Sequence, residues 1–284
     1  MIPNNFQYHR AASVDDALTL MAKHGMDAKL LAGGHSLLPA MKLRLNQPDV
    51  LIDIGHLKEL RYIKKEGNEL VIGAGATHDD IAHSQMARET FSMLSEAADL
   101  IGDVQVRNKG TLGGSLAHAD PAADWPAVMI AAHANIEVKG PQGTRTVAAD
   151  DFFTGFFSTA LADNEIITAI RIPEPPKGTN SSYQKFMQPA SRFAIVGCAA
   201  SITMNGRLCS KVSVAFTGLS DAAFRASNIE AALFEKMPTE ENITAAVQKA
   251  GEGVMAMSDH FASEEYRLHL ARVFAKRALM AAAK

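Results

Sequence analysis

Lys29-Leu30-Leu31-Ala32-Gly33-Gly34-His35-Ser36 and, further along, Thr111-Leu112-Gly113-Gly114-Ser115 are the stretches from which the fold is read. In the first, a short apolar run ends in a glycine pair, which reads as a buried strand running into a tight loop. Both stretches set two glycines beside a small hydroxyl residue. Missing Cβ atoms let backbone N–H groups approach an anion closely, and successive N–H groups form a concave nest for phosphate oxygens. Ser36, Thr111 and Ser115 add hydroxyl donors. Two nests about 80 residues apart suit a diphosphate held from two sides. Plain tight turns also use Gly-Gly, so the pairs alone leave that reading open.

The rest of the chain narrows the choice. It has 284 residues, a hydrophobic fraction of 47% and a net charge of −3, enough apolar material for about two domains and too little basic excess for a nucleic-acid partner. No apolar run reaches the roughly 20 residues of a membrane span. The N-terminus shows no signal-peptide pattern, so a cytoplasmic protein is expected. The two cysteines, Cys198 and Cys209, can make neither a disulfide framework nor a zinc site. No P-loop pattern is present. Gly73-Ala74-Gly75-Ala76-Thr77-His78 has His78 where a dinucleotide fingerprint needs glycine, and Asp79-Asp80 would repel a pyrophosphate. A nucleophile elbow fails at Leu38 but is tolerable at Ala117, which keeps Ser115 open as a hydrolase serine. His78 and His83 are badly spaced for one helical face or for zinc, and they read as structural. No metal site and no catalytic acid–base set is expected.

Ser13-Val14-Asp15-Asp16 and Thr77 with Asp80 read as box-like helix starts, the first helix stopping at Gly25. Strands are expected at Lys29–Leu31 and Val50–Ile54, and hairpins at Arg61–Gly73 and Asn135–Ala148. Helices are expected at Phe91–Ile101 and, opened by Pro121, at Ala122–His133. Ile166–Ile172 alternates into the proline-rich linker Pro173–Gly178. Three strands follow at Ser182–Met187, Ala194–Met204 and Arg207–Gly218, the last two joined by Asn205-Gly206. Helices Ser227–Lys236, Thr239–Met257 and Glu264–Ala283 complete the chain. The pattern is α+β: a two-lobed region over 1–175 with a lobe boundary near 56, then a smaller sheet-plus-helices domain over 179–284.

Both loops carry a family resemblance. Ile2-Pro3 with Phe6, Leu31–Pro39, Lys42 and Leu45, Gln105–Ser115, Asp120–Ala127 and Ile167–Pro176 resemble the FAD-binding medium subunit of aerobic carbon monoxide dehydrogenase-like molybdenum hydroxylases, a group related to the flavin domain of xanthine dehydrogenase. The likeness covers nearly the whole chain. It implies a two-lobed FAD-binding domain of the vanillyl-alcohol oxidase type, then a domain with a three-stranded antiparallel sheet and a helical bundle. It implies FAD as cofactor. The diphosphate loops fall on Leu31, Ala32, Gly33, Gly34, His35, Ser36 and Leu37, and on Thr111, Gly113, Gly114 and Ser115. Asp124 matches an acceptor for a flavin-chain hydroxyl, and Ile101, Val106 and Ile167 match apolar positions around the ring. Lys185 matches a basic position near the flavin. Phe193 stands where relatives tend to have a tyrosine that covers the isoalloxazine.

The role so implied is electron transfer from iron–sulfur clusters of a small subunit, themselves reduced by a molybdenum–pterin large subunit, with assembly as a dimer of heterotrimers. The 2Fe–2S clusters and the molybdenum cofactor belong to the partners, since two cysteines cannot hold a Cys₄ cluster. The rival functions are a self-sufficient flavin dehydrogenase or oxidase of a small organic substrate and a serine hydrolase using Ser115.

Overall fold

The computed structural model describes residues 2–284. The first sheet is wholly parallel. Strands β1 (Gln7–Arg10) and β2 (Ala28–Leu31) flank β3 (Val50–Asp53). The connection from β1 to β2 is the helix Val14–His24, capped by the Ser13 side chain accepting from the Asp16 N–H and ended at Gly25. It buries Val14 and Ala17 against the inner face of this sheet. Strand β2 is half-exposed rather than buried, because it is an edge and its far side is open.

The second sheet is antiparallel. After β4 (Ile63–Glu66), β5 (Glu69–Gly73), β6 (Asn135–Gly140) and β7 (Gly143–Ala148), the short hairpin β8 (Phe153–Gly155) and β9 (Ser158–Thr159) precedes β10 (Ile166–Pro173). The order is β4-β5-β10-β6-β7, so the two sequence-local hairpins flank a strand from further along the chain.

The third sheet holds β11 (Thr179–Met187), β12 (Ala194–Asn205) and β13 (Leu208–Thr217). A fourth strand, β14 (Phe224–Arg225), adds to its edge, so the expected three-stranded sheet has four strands. Two residues carry too little pattern to be read as a strand without their partners. Strand β12 is buried over nearly its whole length because both faces are covered. Tyr183, Ala199 and Ala215 face the core built by the helices Ser92–Leu100 and Trp125–Ala131. Cys198, Ala200, Val214 and Phe216 face the other way, toward the long helix Glu264–Ala282. The period-two alternation thus sorts one sheet between two cores.

Three expected helices are shorter than their patterns, the segment expected as Ser227–Lys236 being helical only over Ser227–Leu233. The segment expected as Ala122–His133 becomes helical only at Trp125, because Ala122 and Ala123 donate to Asp120 in a turn and Pro126 occupies the first helical turn. The segment expected as Thr239–Met257 is α-helical over Glu240–Ala246, continues as a 3₁₀ turn at Val247–Lys249 and turns at Gly251, whose φ is +87°. No helix among the described residues is long and apolar enough to cross a membrane.

Candidate functional site

Elements of all three sheets meet at a cavity of about 700 Å³, within the roughly 300–1,000 Å³ range of small-molecule and cofactor sites. The loop after β2 supplies Ala32, Gly33, Gly34, His35, Ser36 and Leu37. The start of the helix Leu112–His118 supplies Thr111, Gly113, Gly114 and Ser115. Ile101, Val106 and Ile167 add apolar wall, and Asp124 and Phe193 close it. Two expected site residues are set back. Leu31 ends β2, where its carbonyl accepts the Ile54 N–H. Lys185 is fully buried behind Asp124.

The two glycine loops do different work. Among the described residues, the backbone N–H groups of Gly33, Gly34, His35 and Ser36 donate to no other group of the chain. Four consecutive unpartnered donors on a cavity wall are what an anion nest requires. The second loop is not a second nest. Leu112 N–H donates to the Ala76 carbonyl, Gly113 N–H to that of Ala74, and Gly114 N–H to Thr111 Oγ1 at 3.1 Å. Its offerings to a ligand are the hydroxyls of Thr111 and Ser115 and a wall without side chains.

The reason for the glycines also differs from the expectation that they leave room for phosphate. A Cβ on Gly33 would lie 2.2 Å from the Lys109 carbonyl oxygen and 2.7 Å from Gly110 Cα. A Cβ on Gly113 would lie 2.5 Å from Ala74 Cβ. The missing side chains let the two loops and the chain after β5 touch at the backbone, and that contact forms the cavity floor.

Asp124 is buried and closed on both oxygens: Tyr183 Oη donates to Oδ1 at 2.5 Å and Lys185 Nζ to Oδ2 at 2.9 Å. Burial pushes its carboxyl above the ordinary range, while the Lys185 ammonium and the Tyr183 hydroxyl pull the other way. Lys185 also donates to the Arg192 carbonyl at 2.7 Å. The ion pair therefore holds the β11–β12 connection, whose Phe193 is exposed to the cavity mouth.

His78 is the residue that sequence reasoning passed over. It lies on the cavity wall, and Trp125 Nε1 donates to its Nδ1 at 3.0 Å. Burial, helped by the positive fields of His35 and Arg107, pulls its pKa down to about 4. Trp125 is 47 residues away, and no local pattern announces that pairing.

The hydrolase arrangement does not form. Among the described residues, the histidine rings that hydrogen-bond do so elsewhere: His78 with Trp125, His83 with Asp79, His133 with Ser213 and Arg225. Among the described residues Ser115 Oγ has no hydrogen bond to a histidine or carboxylate, although His118 lines the same cavity. Cys198 and Cys209 are buried, on the core of the third sheet.

Residues 4–175 match the family model described as the FAD binding domain in molybdopterin dehydrogenase. Residues 181–282 match the carbon monoxide dehydrogenase flavoprotein C-terminal domain. The chain is 42% identical over 282 residues to the carbon monoxide dehydrogenase medium chain of Hydrogenophaga pseudoflava, covering 99% of this chain and 98% of that one. It is 34% identical to the glyceraldehyde dehydrogenase medium chain of Sulfolobus acidocaldarius, covering 98% of each. Its structure is similar to a chain of the Hydrogenophaga pseudoflava carbon monoxide dehydrogenase that lacks the molybdenum-pyranopterin moiety, with a TM-score of 0.96, 44% identity and coverage of 99% and 98%.

Proposed function

The chain belongs to the family of FAD-binding medium subunits of molybdopterin dehydrogenases, and from that premise we propose that it relays electrons from iron–sulfur clusters of a small subunit to an external acceptor. The observation that carries the reading is the row of unpartnered N–H groups at Gly33–Ser36 on the floor of a largely apolar cavity. The row suits a diphosphate, the apolar wall at Ile101, Val106 and Ile167 suits a flavin ring, and Phe193 can stack on its face. When bound, FAD supplies the exchange between a two-electron acceptor and one-electron clusters. The chain's own residues bind it, orient it and exclude water from it.

The same reading includes the finer points. The residues proposed to hold FAD are the first loop from Leu31 to Leu37, the second loop at Thr111, Gly113, Gly114 and Ser115, and the wall formed by Ile101, Val106, Asp124, Ile167 and Phe193. Lys185 acts through Asp124 and the Arg192 carbonyl. The FAD-binding domain is taken as residues 1–175, in two lobes divided near 56 and of the vanillyl-alcohol oxidase type. The second domain is taken as 179–284. A molybdenum large subunit completes the assembly, as a dimer of heterotrimers in the cytoplasm. The parallel first sheet and the antiparallel second sheet, with the cavity between them, support the two-lobed division.

The test uses the purified full chain. Heat-released flavin is expected to be FAD and not FMN. Chemical reductants are expected to reduce it, while carbon monoxide or N-heterocycles leave it oxidised until cluster- and molybdenum-loaded partner subunits are added. Turnover of an organic substrate by the lone chain at ordinary enzymatic rates would replace this reading with that of a self-sufficient flavoenzyme.

A further inference from the structure

We propose that His78 is a neutral hydrogen-bond donor to the diphosphate of FAD, held in one tautomer by Trp125. The inference rests on the FAD reading of the cavity and assigns one of its polar contacts. His78 opens the helix His78–Ala82, and its backbone N–H donates to the Gly110 carbonyl at 3.0 Å, which holds this turn of main chain against the residue before the second loop. Gly110 has Gly33 packed against its Cα, and a Cβ on Gly110 would lie 2.7 Å from His78 Nε2. The Nε2 edge of the ring is therefore one residue's thickness from the unpartnered N–H groups of the first loop.

The tautomer follows from the partner. Trp125 Nε1 can only donate, so Nδ1 of His78 accepts and Nε2 carries the proton. Protonating Nδ1 would strand the indole N–H of a fully buried tryptophan. Burial and the neighbouring His35 and Arg107 oppose the charged ring as well. Among the described residues, Nε2 donates to no protein group, and His78 is one of the residues that line the cavity. A polar hydrogen so placed has the ligand as its partner. A neutral donor here adds a directed hydrogen bond without adding positive charge beside His35.

Two substitutions separate the ring's two jobs. Asn places an oxygen near the Nδ1 position and keeps the bond to Trp125, but has nothing at Nε2. Gln reaches the Nε2 position with an amide N–H. In fluorescence titrations of the flavin-free full chain, His78→Asn is expected to raise the Kd for FAD roughly 3- to 10-fold, the span of an ordinary hydrogen bond. His78→Gln is expected to recover most of it, and riboflavin, which has no diphosphate, is expected to bind all three chains alike. In parent protein with ¹⁵N-labelled histidine, adding FAD is expected to shift the His78 Nε2–H resonance, which makes the test independent of whether a variant folds. An unchanged FAD Kd in His78→Asn, an equal loss for riboflavin, or an unmoved Nε2–H resonance would overturn the proposal while leaving the FAD site intact. A parent chain that binds no FAD would remove the site reading itself.

Discussion

Gly33→Ala is expected to loosen the fold and the FAD site together, without its methyl group entering the ligand space. The added Cβ would stand 2.2 Å from the Lys109 carbonyl oxygen and 2.8 Å from the Lys109 carbonyl carbon, where ordinary contact begins at 3.4 Å. One loop must retreat by about 1.2 Å, the difference between 3.4 and 2.2 Å. The obstructing atoms are backbone and cannot swing aside as a side chain would. Overpacking of this kind costs about 1–3 kcal/mol. The stiffer unfolded chain of an alanine variant offsets some tenths of that. A chain of this size changes melting temperature by roughly 2–4 °C per kcal/mol, so a fall of about 2–10 °C is expected. Moving the loop also spreads the donors at Gly33–Ser36, so the Kd for FAD should rise more than tenfold. Thermal melts of the flavin-free chain and FAD titrations read the two effects. Gly34→Ala is the comparison: its φ of +76° strains an alanine, but the nearest atoms are the flexible ends of Leu38 and Leu31, so its cost should be about 1 kcal/mol. Parental stability with lost FAD binding in Gly33→Ala would refute the loop-on-loop argument, since it would mean that the methyl group points into ligand space.

Ser115→Ala is expected to weaken FAD by about 0.5–1.5 kcal/mol, the net worth of one hydrogen bond, and titration measures it; stoichiometric labelling of Ser115 by a fluorophosphonate would overturn the flavin assignment. Lys185→Met leaves the Asp124 carboxylate buried without its cation and should destabilise the chain by about 3–5 kcal/mol in urea unfolding. Adding Asp124→Asn should recover much of that loss if the pair acts as a unit. The folded chain holds His78 at about 4 against an ordinary 6.5, so between those values the unfolded state binds more protons. Stability from this group is complete above about pH 6.5 and falls by up to about 3 kcal/mol as pH drops to 4; denaturant midpoints at pH 7, 5.5 and 4.5 that do not move in the parent, or that move equally in His78→Asn, would contradict it.

The residues themselves determined whatever is decided within a few positions. Ser13 and Thr77 cap their helices because a hydroxyl meets an N–H three residues on, a geometry already present in the sequence. The hairpins β4–β5, β6–β7 and β12–β13 follow from turn residues between alternating strands. The two glycine loops were also legible, with the family they signify and the FAD they imply. What each loop does was not. The amides of the second loop are occupied by carbonyls of Ala74 and Ala76, more than 30 residues earlier, and only packing shows that a glycine faces a carbonyl instead of a ligand. The helix expected to run to Met257 ends at Ala246, tightens into a 3₁₀ turn at Val247–Lys249 and gives way to a turn at Gly251. His78 finds Trp125, and Asp124 finds Tyr183 and Lys185, across separations of 47, 59 and 61 residues. Local chemistry follows bonded neighbours, so a sequence carries it openly. A buried polar group takes whichever partner the folded chain brings within about 3 Å, and that choice belongs to the tertiary structure.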